Sequence, residues 1–189
     1  KWHSPEGNIS LSIAFADIEF DVPISIATGI LVKDALTEVF NLSSIKLKWP
    51  NDLVFEKKKI GGILVEKEVF ANYTKAIVGI GINLELDKKE SWWGDFGDLN
   101  GKNLRDKIIN KILVKFEALF SDGLNDWKNL WNQSCIHNDA IISVARNDEI
   151  IKGKYLGIND SGELLLKKEI GEIISFSSGE VSIKGIYNK

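Results

Sequence analysis

The chain has 189 residues, about one domain and a fraction at roughly 150 residues per domain. With 44% hydrophobic and 27% charged residues and a net charge of −3, it carries no overall basic footprint for nucleic acid, which argues against nucleic acid as a partner. A single cysteine, Cys135, excludes an internal disulfide framework and a multi-cysteine metal centre, and fits a reducing compartment.

No apolar run reaches the roughly 18 residues of a membrane span, and no basic-then-apolar signal segment opens the chain, so a soluble cytoplasmic protein is expected. Methionine is absent, and Lys1-Trp2-His3-Ser4-Pro5 reads as the middle of an element. An N-terminal part is therefore expected upstream.

After a turn at Ser4–Asn8, Ile9 to Phe15 reads as a buried strand. Pro23 to Phe40 is helical, with Ala27, Ile30, Leu31, Ala35 and Val39 at three- and four-residue spacing. Ile45, Leu47 and Trp49 alternate with Lys46 and Lys48, predicting a strand with one wet face that Pro50-Asn51-Asp52 breaks. Leu53–Phe55 and Ile60–Glu66 predict a hairpin around Glu56-Lys57-Lys58-Lys59, and Ala76–Leu84 a further strand. Residues 85 to 103 read as loop. The stripe Leu104, Ile108, Ile112, Leu113, Phe116 and Phe120 predicts a helix capped by Asn103, with a shorter helix behind it. Beyond about Asn138, short β-like runs separated by turn signals predict a small all-β unit, with a boundary near residue 137.

The strongest local signal is Lys48-Trp49-Pro50-Asn51-Asp52 followed by Lys59-Ile60-Gly61-Gly62-Ile63-Leu64-Val65-Glu66. A carboxamide and a carboxylate share a Pro-fixed turn beside paired glycines, which mark close approach by a ligand or by another backbone. Asn51 and Asp52 suit a magnesium ion that keeps its waters and is shared with substrate phosphates. The competing reading is a tight turn with a solvated Lys-rich hairpin. Gly79-Ile80-Gly81-Ile82-Asn83 lacks the third glycine of a dinucleotide loop and reads better as a strand exposing backbone. Trp92-Trp93-Gly94 reads either as a flap over a planar ligand or as a partly buried anchor. His3 and His137 lack partners at metal-ligand spacing and read as non-catalytic.

Together these pieces resemble the biotin–protein ligase family. The likeness runs through Trp2-x-Ser4-Pro5-x-Gly7-Asn8, the run from Lys48 to Leu53, the run from Lys59 to Glu66, the run from Val78 to Asn83, and Gly179-Glu180-Val181-Ser182-Ile183. It implies an α+β fold: a mixed, mainly antiparallel sheet with helices packed on it, of class II aminoacyl-tRNA-synthetase type, then a small Src-homology-3-like β barrel. The implied units are a catalytic domain over 1–137 and a C-terminal domain over 138–189.

The resemblance also implies that biotin and MgATP form biotinyl-5′-AMP, and that the biotinyl group then passes to a lysine of the biotin carboxyl carrier protein of acetyl-CoA carboxylase. Lys59 matches the lysine that binds the biotin carboxylate and phosphate oxygens, with Asp52 as its catalytic companion. Gly61, Gly62, Gly79 and Gly81 would admit biotin to the backbone, and Trp2 would pack beside its tail. Asn51, Asp52, Asn83, Trp92 or Trp93, and Lys184 fall on the ATP side, with Asp52 and Asn51 as the magnesium ligands. Lys184 stands where some relatives carry Arg. Ile82 and the neighbouring strand edges would serve carrier contacts or a homodimer through the central sheet.

The family's Gly/Arg-rich biotin loop would lie upstream of Lys1, and no helix-turn-helix is visible to support repressor activity. Two alternatives stand beside the ligase: a lipoate–protein-ligase-like acyltransferase, and a non-catalytic biotin- or carrier-binding module.

Overall fold

The computed structural model describes residues 6–16, 21–69, 71, 74–87, 90–146, 149–178 and 181–184. Strands β1 (Ile9–Ala16), β2 (Lys46–Lys48), β3 (Asp52–Phe55), β4 (Lys58–Val69) and β5 (Thr74–Ile82) form one sheet in the order β1-β5-β4-β3-β2. Strands β6 (Ile141–Arg146), β7 (Glu149–Ile158), β8 (Leu164–Lys167), β9 (Ile173–Phe176) and β10 (Val181–Lys184) form a second, in the order β10-β6-β7-β8-β9. Every strand pairing is antiparallel, and among the described residues parallel geometry is confined to isolated bridges at Leu47–Cys135 and Lys59–Trp93. The expected α+β architecture is present.

Helix α1 (Ile24–Phe40) packs on β2, β3 and β4, and α2 (Arg105–Asp122) packs on α1 and β1. Both lie against the apolar face of the first sheet. In β1 that face is made by Ile9, Leu11, Ile13 and Phe15, while Ser10, Ser12, Ala14 and Ala16 are exposed on the other. α1 ends where Asn41 adopts the left-handed conformation and donates its N–H to the Thr37 carbonyl. Helix α3 (Trp127–Ser134) bridges the two sheets by packing on β2 and β7. The Trp49 indole N–H donates to the Gly162 carbonyl at 3.0 Å, and the Trp131 indole N–H to the Tyr155 hydroxyl at 3.0 Å. Both sheets thus contribute to one continuous core.

Three local expectations change. Lys48 is not on a wet face. It is 9% exposed, because the chain after α3 returns along β2, where the Ile136 N–H donates to the Leu47 carbonyl. Asn103 does not cap α2, since its side chain donates to Asn100 and the helix starts one residue later behind Leu104. The hairpin is tighter than expected. Its turn is Glu56-Lys57 alone, both at positive φ (50° and 59°), so Lys58 and Lys59 already belong to β4.

Candidate active site

The face of the first sheet opposite the helices carries a cleft of about 450 Å³, lined by Ser10 and Ser12 of β1, Gly79 and Gly81 of β5, Gly62, Leu64 and Lys59 of β4, and Asn51. Strand register explains the hollow. Ser10 stands opposite Gly81, which stands opposite Gly62, and Ser12 opposite Gly79. Strand side chains alternate between faces, so residues with little or no side chain leave a floor of bare backbone. A volume of this size accommodates a small organic ligand.

Lys59 reaches that face through an irregularity. It lies three residues from Gly62, and strict alternation would aim the two in opposite directions. Between β3 and β4 the register shifts: Leu53 stands opposite Gly61 but Val54 opposite Lys59. Ile60 is the extra residue and is fully buried in the core. This bulge re-aims Lys59 into the cleft. Its main chain is held on both sides, its N–H donating to the Trp92 carbonyl and its carbonyl accepting from the Gly94 N–H, each at 2.9 Å.

Asp52 is flanked by two ammonium groups. Lys59 contacts its Oδ1, and Lys48, its register partner on β2, lies 3.4 Å from its Oδ2. Burial pushes the Lys48 ammonium below its usual range, opposed by Asp52 and reinforced by the positive charge of Lys59. The three side chains carry a net single positive charge at the cleft edge, suited to an anionic group and to negative charge developing during a reaction. Asn51 clasps Ile63, its Nδ2 donating to the Ile63 carbonyl at 2.7 Å and its main-chain carbonyl accepting the Ile63 N–H at 2.9 Å.

Not every sequence-predicted residue lines this cleft. Gly61 does not line the cleft: a Cβ there would run into the Gly81 carbonyl oxygen, and Leu53 Cδ1 lies 3.0 Å away, so this glycine is required by strand packing. Asn83, expected on the ATP side, donates from Nδ2 to the Gly94 carbonyl at 3.0 Å and ties down the Trp92-Trp93 segment. The two indoles meet edge-to-face at 5.5 Å beside the Lys59 main chain. Trp2 and the Lys184 side chain lie outside the described residues. Ser10 and Ser12 are cleft residues that the sequence reading does not single out, although the alternation Ile-Ser-Leu-Ser-Ile carries the signal. Asn8, part of the opening motif, accepts the Leu84 and Glu85 N–H groups and fixes the exit of β5.

Asp52 and Asn51 do not fit a magnesium ion held by the protein. Both Asp52 oxygens face ammonium groups, Asn51 would offer its Oδ1 alone, and among the described residues no group of three His, Cys, Asp or Glu is arranged to hold a metal. Nor is any described helix long and apolar enough to cross a membrane.

The family described as Biotin/lipoate A/B protein ligase matches residues 1–83, and the Biotin protein ligase C terminal domain matches residues 141–184. The bifunctional ligase/repressor BirA of Salmonella typhimurium is 27% identical over 198 residues, covering 97% of this chain and 61% of its own length. Biotin–protein ligase 2 of Arabidopsis thaliana is 25% identical, covering 87% and 56%. The chain therefore spans about three fifths of the length of these relatives. Among solved structures, the biotin protein ligase of Aquifex aeolicus in complex with biotin and ATP superposes with a TM-score of 0.75 at 26% identity, covering 97% of this chain and 81% of that one.

Proposed function

Because the chain belongs to the biotin protein ligase family, we propose that it activates biotin with ATP and transfers the biotinyl group to a lysine of a biotin carboxyl carrier protein. The observation that carries this reading is the Lys59 ammonium aimed by a bulge into a glycine-floored cleft.

In this reading biotin lies along the floor formed by Gly62, Gly79 and Gly81, with Leu64 and the β1 serines beside it and its carboxylate at Lys59. A carboxylate oxygen attacks the α-phosphorus of ATP, the bond to the bridging oxygen breaks, and pyrophosphate leaves. Two like-charged groups must meet for this to happen, and Lys59 offsets their repulsion and stabilises the charge gathering on the phosphoryl oxygens. In the second step the neutral amine of the carrier lysine attacks the acyl carbon of biotinyl-5′-AMP. An amide forms, AMP leaves with the bonding pair, and the amine proton passes to solvent. Magnesium arrives with the nucleotide as MgATP, consistent with a donor set that does not fit a protein-held ion. Asn51 and the Trp92-Trp93 segment stand on the nucleotide side, and residues 1–137 and 138–189 act as catalytic and C-terminal units.

The test is to incubate the purified chain with MgATP, an apo biotin carboxyl carrier domain and either biotin or lipoate, and to weigh the carrier intact. The expected result is one added biotinyl group, lost in Lys59→Ala. A carrier that gains lipoate and not biotin, or gains nothing, overturns the proposal; in the second case biotin binding without turnover would identify a binding module.

A further inference from the structure

Lys48 begins the strongest motif in the sequence, yet it does not line the cleft. It sits on a three-residue strand and is 9% exposed, a place where an aliphatic side chain would avoid the cost of burying an ammonium. Buried lysines are retained where they have a partner, and here the partner is Asp52, directly across the β2–β3 pair. The backbone on either side of Lys48 is fixed. Leu47 bridges to Cys135 and accepts the Ile136 N–H at 2.8 Å, and the Trp49 indole is bonded to Gly162. The ammonium is therefore presented from a rigid support.

From this geometry we infer that Lys48 is a positioning residue, acting through Asp52 on Lys59 and resting on the ligase reading above. It has two effects. It holds one carboxylate oxygen, so that Asp52 cannot turn and draw Lys59 back from the cleft. It also supplies the second positive charge: Asp52 and Lys59 alone sum to zero, whereas the three together leave one positive charge for the negative charge that gathers on the phosphoryl oxygens in the transition state.

The test uses Lys48→Met, Lys48→Arg, Asp52→Asn and the Lys48→Met/Asp52→Asn pair in the full chain. Biotin-dependent pyrophosphate release gives kcat and KM. Lys48→Met should lower kcat by about 10- to 100-fold, the scale of a misplaced reacting group. The KM for biotin should stay within about threefold, and Lys48→Arg should recover most of the loss. Because Lys48 acts through Asp52, the double variant should be no slower than the slower single one. Full kcat in Lys48→Met, a loss carried mainly by KM, or losses that multiply in the double variant would each overturn the inference. A crystal structure of Lys48→Met separates this outcome from failure of the ligase reading. Should the wild type not turn over, the ligase reading falls, and the inference is then decided by whether Lys59 Nζ has withdrawn from the cleft; Asp52 and Lys59 left in place would overturn it.

Discussion

Lys59 is one-quarter exposed and bound to Asp52, so its removal affects folding as well as chemistry. Its strand is internal to the sheet. Lys59→Ala is expected to lose about 100- to 1,000-fold or more in adenylate formation, the scale of removing a preorganised charge from a transition state. Asp52 keeps Lys48, so the stability cost should stay near 1 kcal/mol. Pyrophosphate release and urea unfolding on the same variant measure the two effects. The glycines separate likewise. Gly61→Ala places a methyl against the Gly81 carbonyl and should destabilise by about 1–3 kcal/mol. A methyl at Gly79 finds its nearest atoms on Leu64 at 3.7 Å, an ordinary contact. Gly79→Ala should therefore fold normally and weaken biotin binding by filling the cleft floor. Equal melting temperatures for the two variants, or unchanged biotin affinity in Gly79→Ala, would contradict this division.

At the level of elements, the hairpin between β3 and β4 sets the geometry of the site with unfavourable turn residues. Glu56 and Lys57 both adopt positive φ, which two-residue turns of this kind normally assign to Asn-Gly. Replacing the pair by Asn-Gly should raise stability by about 1 kcal/mol and leave the cleft intact, as a thermal melt and a biotin titration would show. The strands themselves were legible, because alternation in the Ile9–Ala16 run and in β7 follows directly from burial of one face. The bulge was not legible. Lys59-Ile60-Gly61-Gly62 reads as uninterrupted strand, and only the partner register reveals the extra residue that turns Lys59 toward the cleft. Lys48 was misread for a related reason. Alternation reports two faces of a strand, and a covering segment 87 or more residues later in the chain is invisible to it.

Across the whole molecule, the two sheets are joined where α3 runs into β6, and the joint carries a buried titratable group. His137 is 1% exposed, its ring lies 5.8 Å from that of Tyr155, and its Nε2 is buried without a hydrogen-bond partner among the described residues. Burial, with a smaller contribution from the Lys48 charge, lowers its pKa from 6.5 to about 4. The folded protein therefore binds fewer protons at this site than the unfolded chain between those values. Stability contributed by neutral His137 is complete above about pH 6.5 and is lost as the pH falls towards 4. Urea unfolding at about pH 7.5 and about pH 5 should differ by roughly 2 kcal/mol from this group. Glu38, held down to about 2 by hydrogen bonds from Lys111 and Lys115, loses its contribution only below its own unfolded value of 4.5 and does not confound that window. In His137→Gln the pH dependence between these points should flatten, whatever the variant's absolute stability. An unchanged slope would show that the joint between the sheets admits water and that His137 titrates as an exposed imidazole.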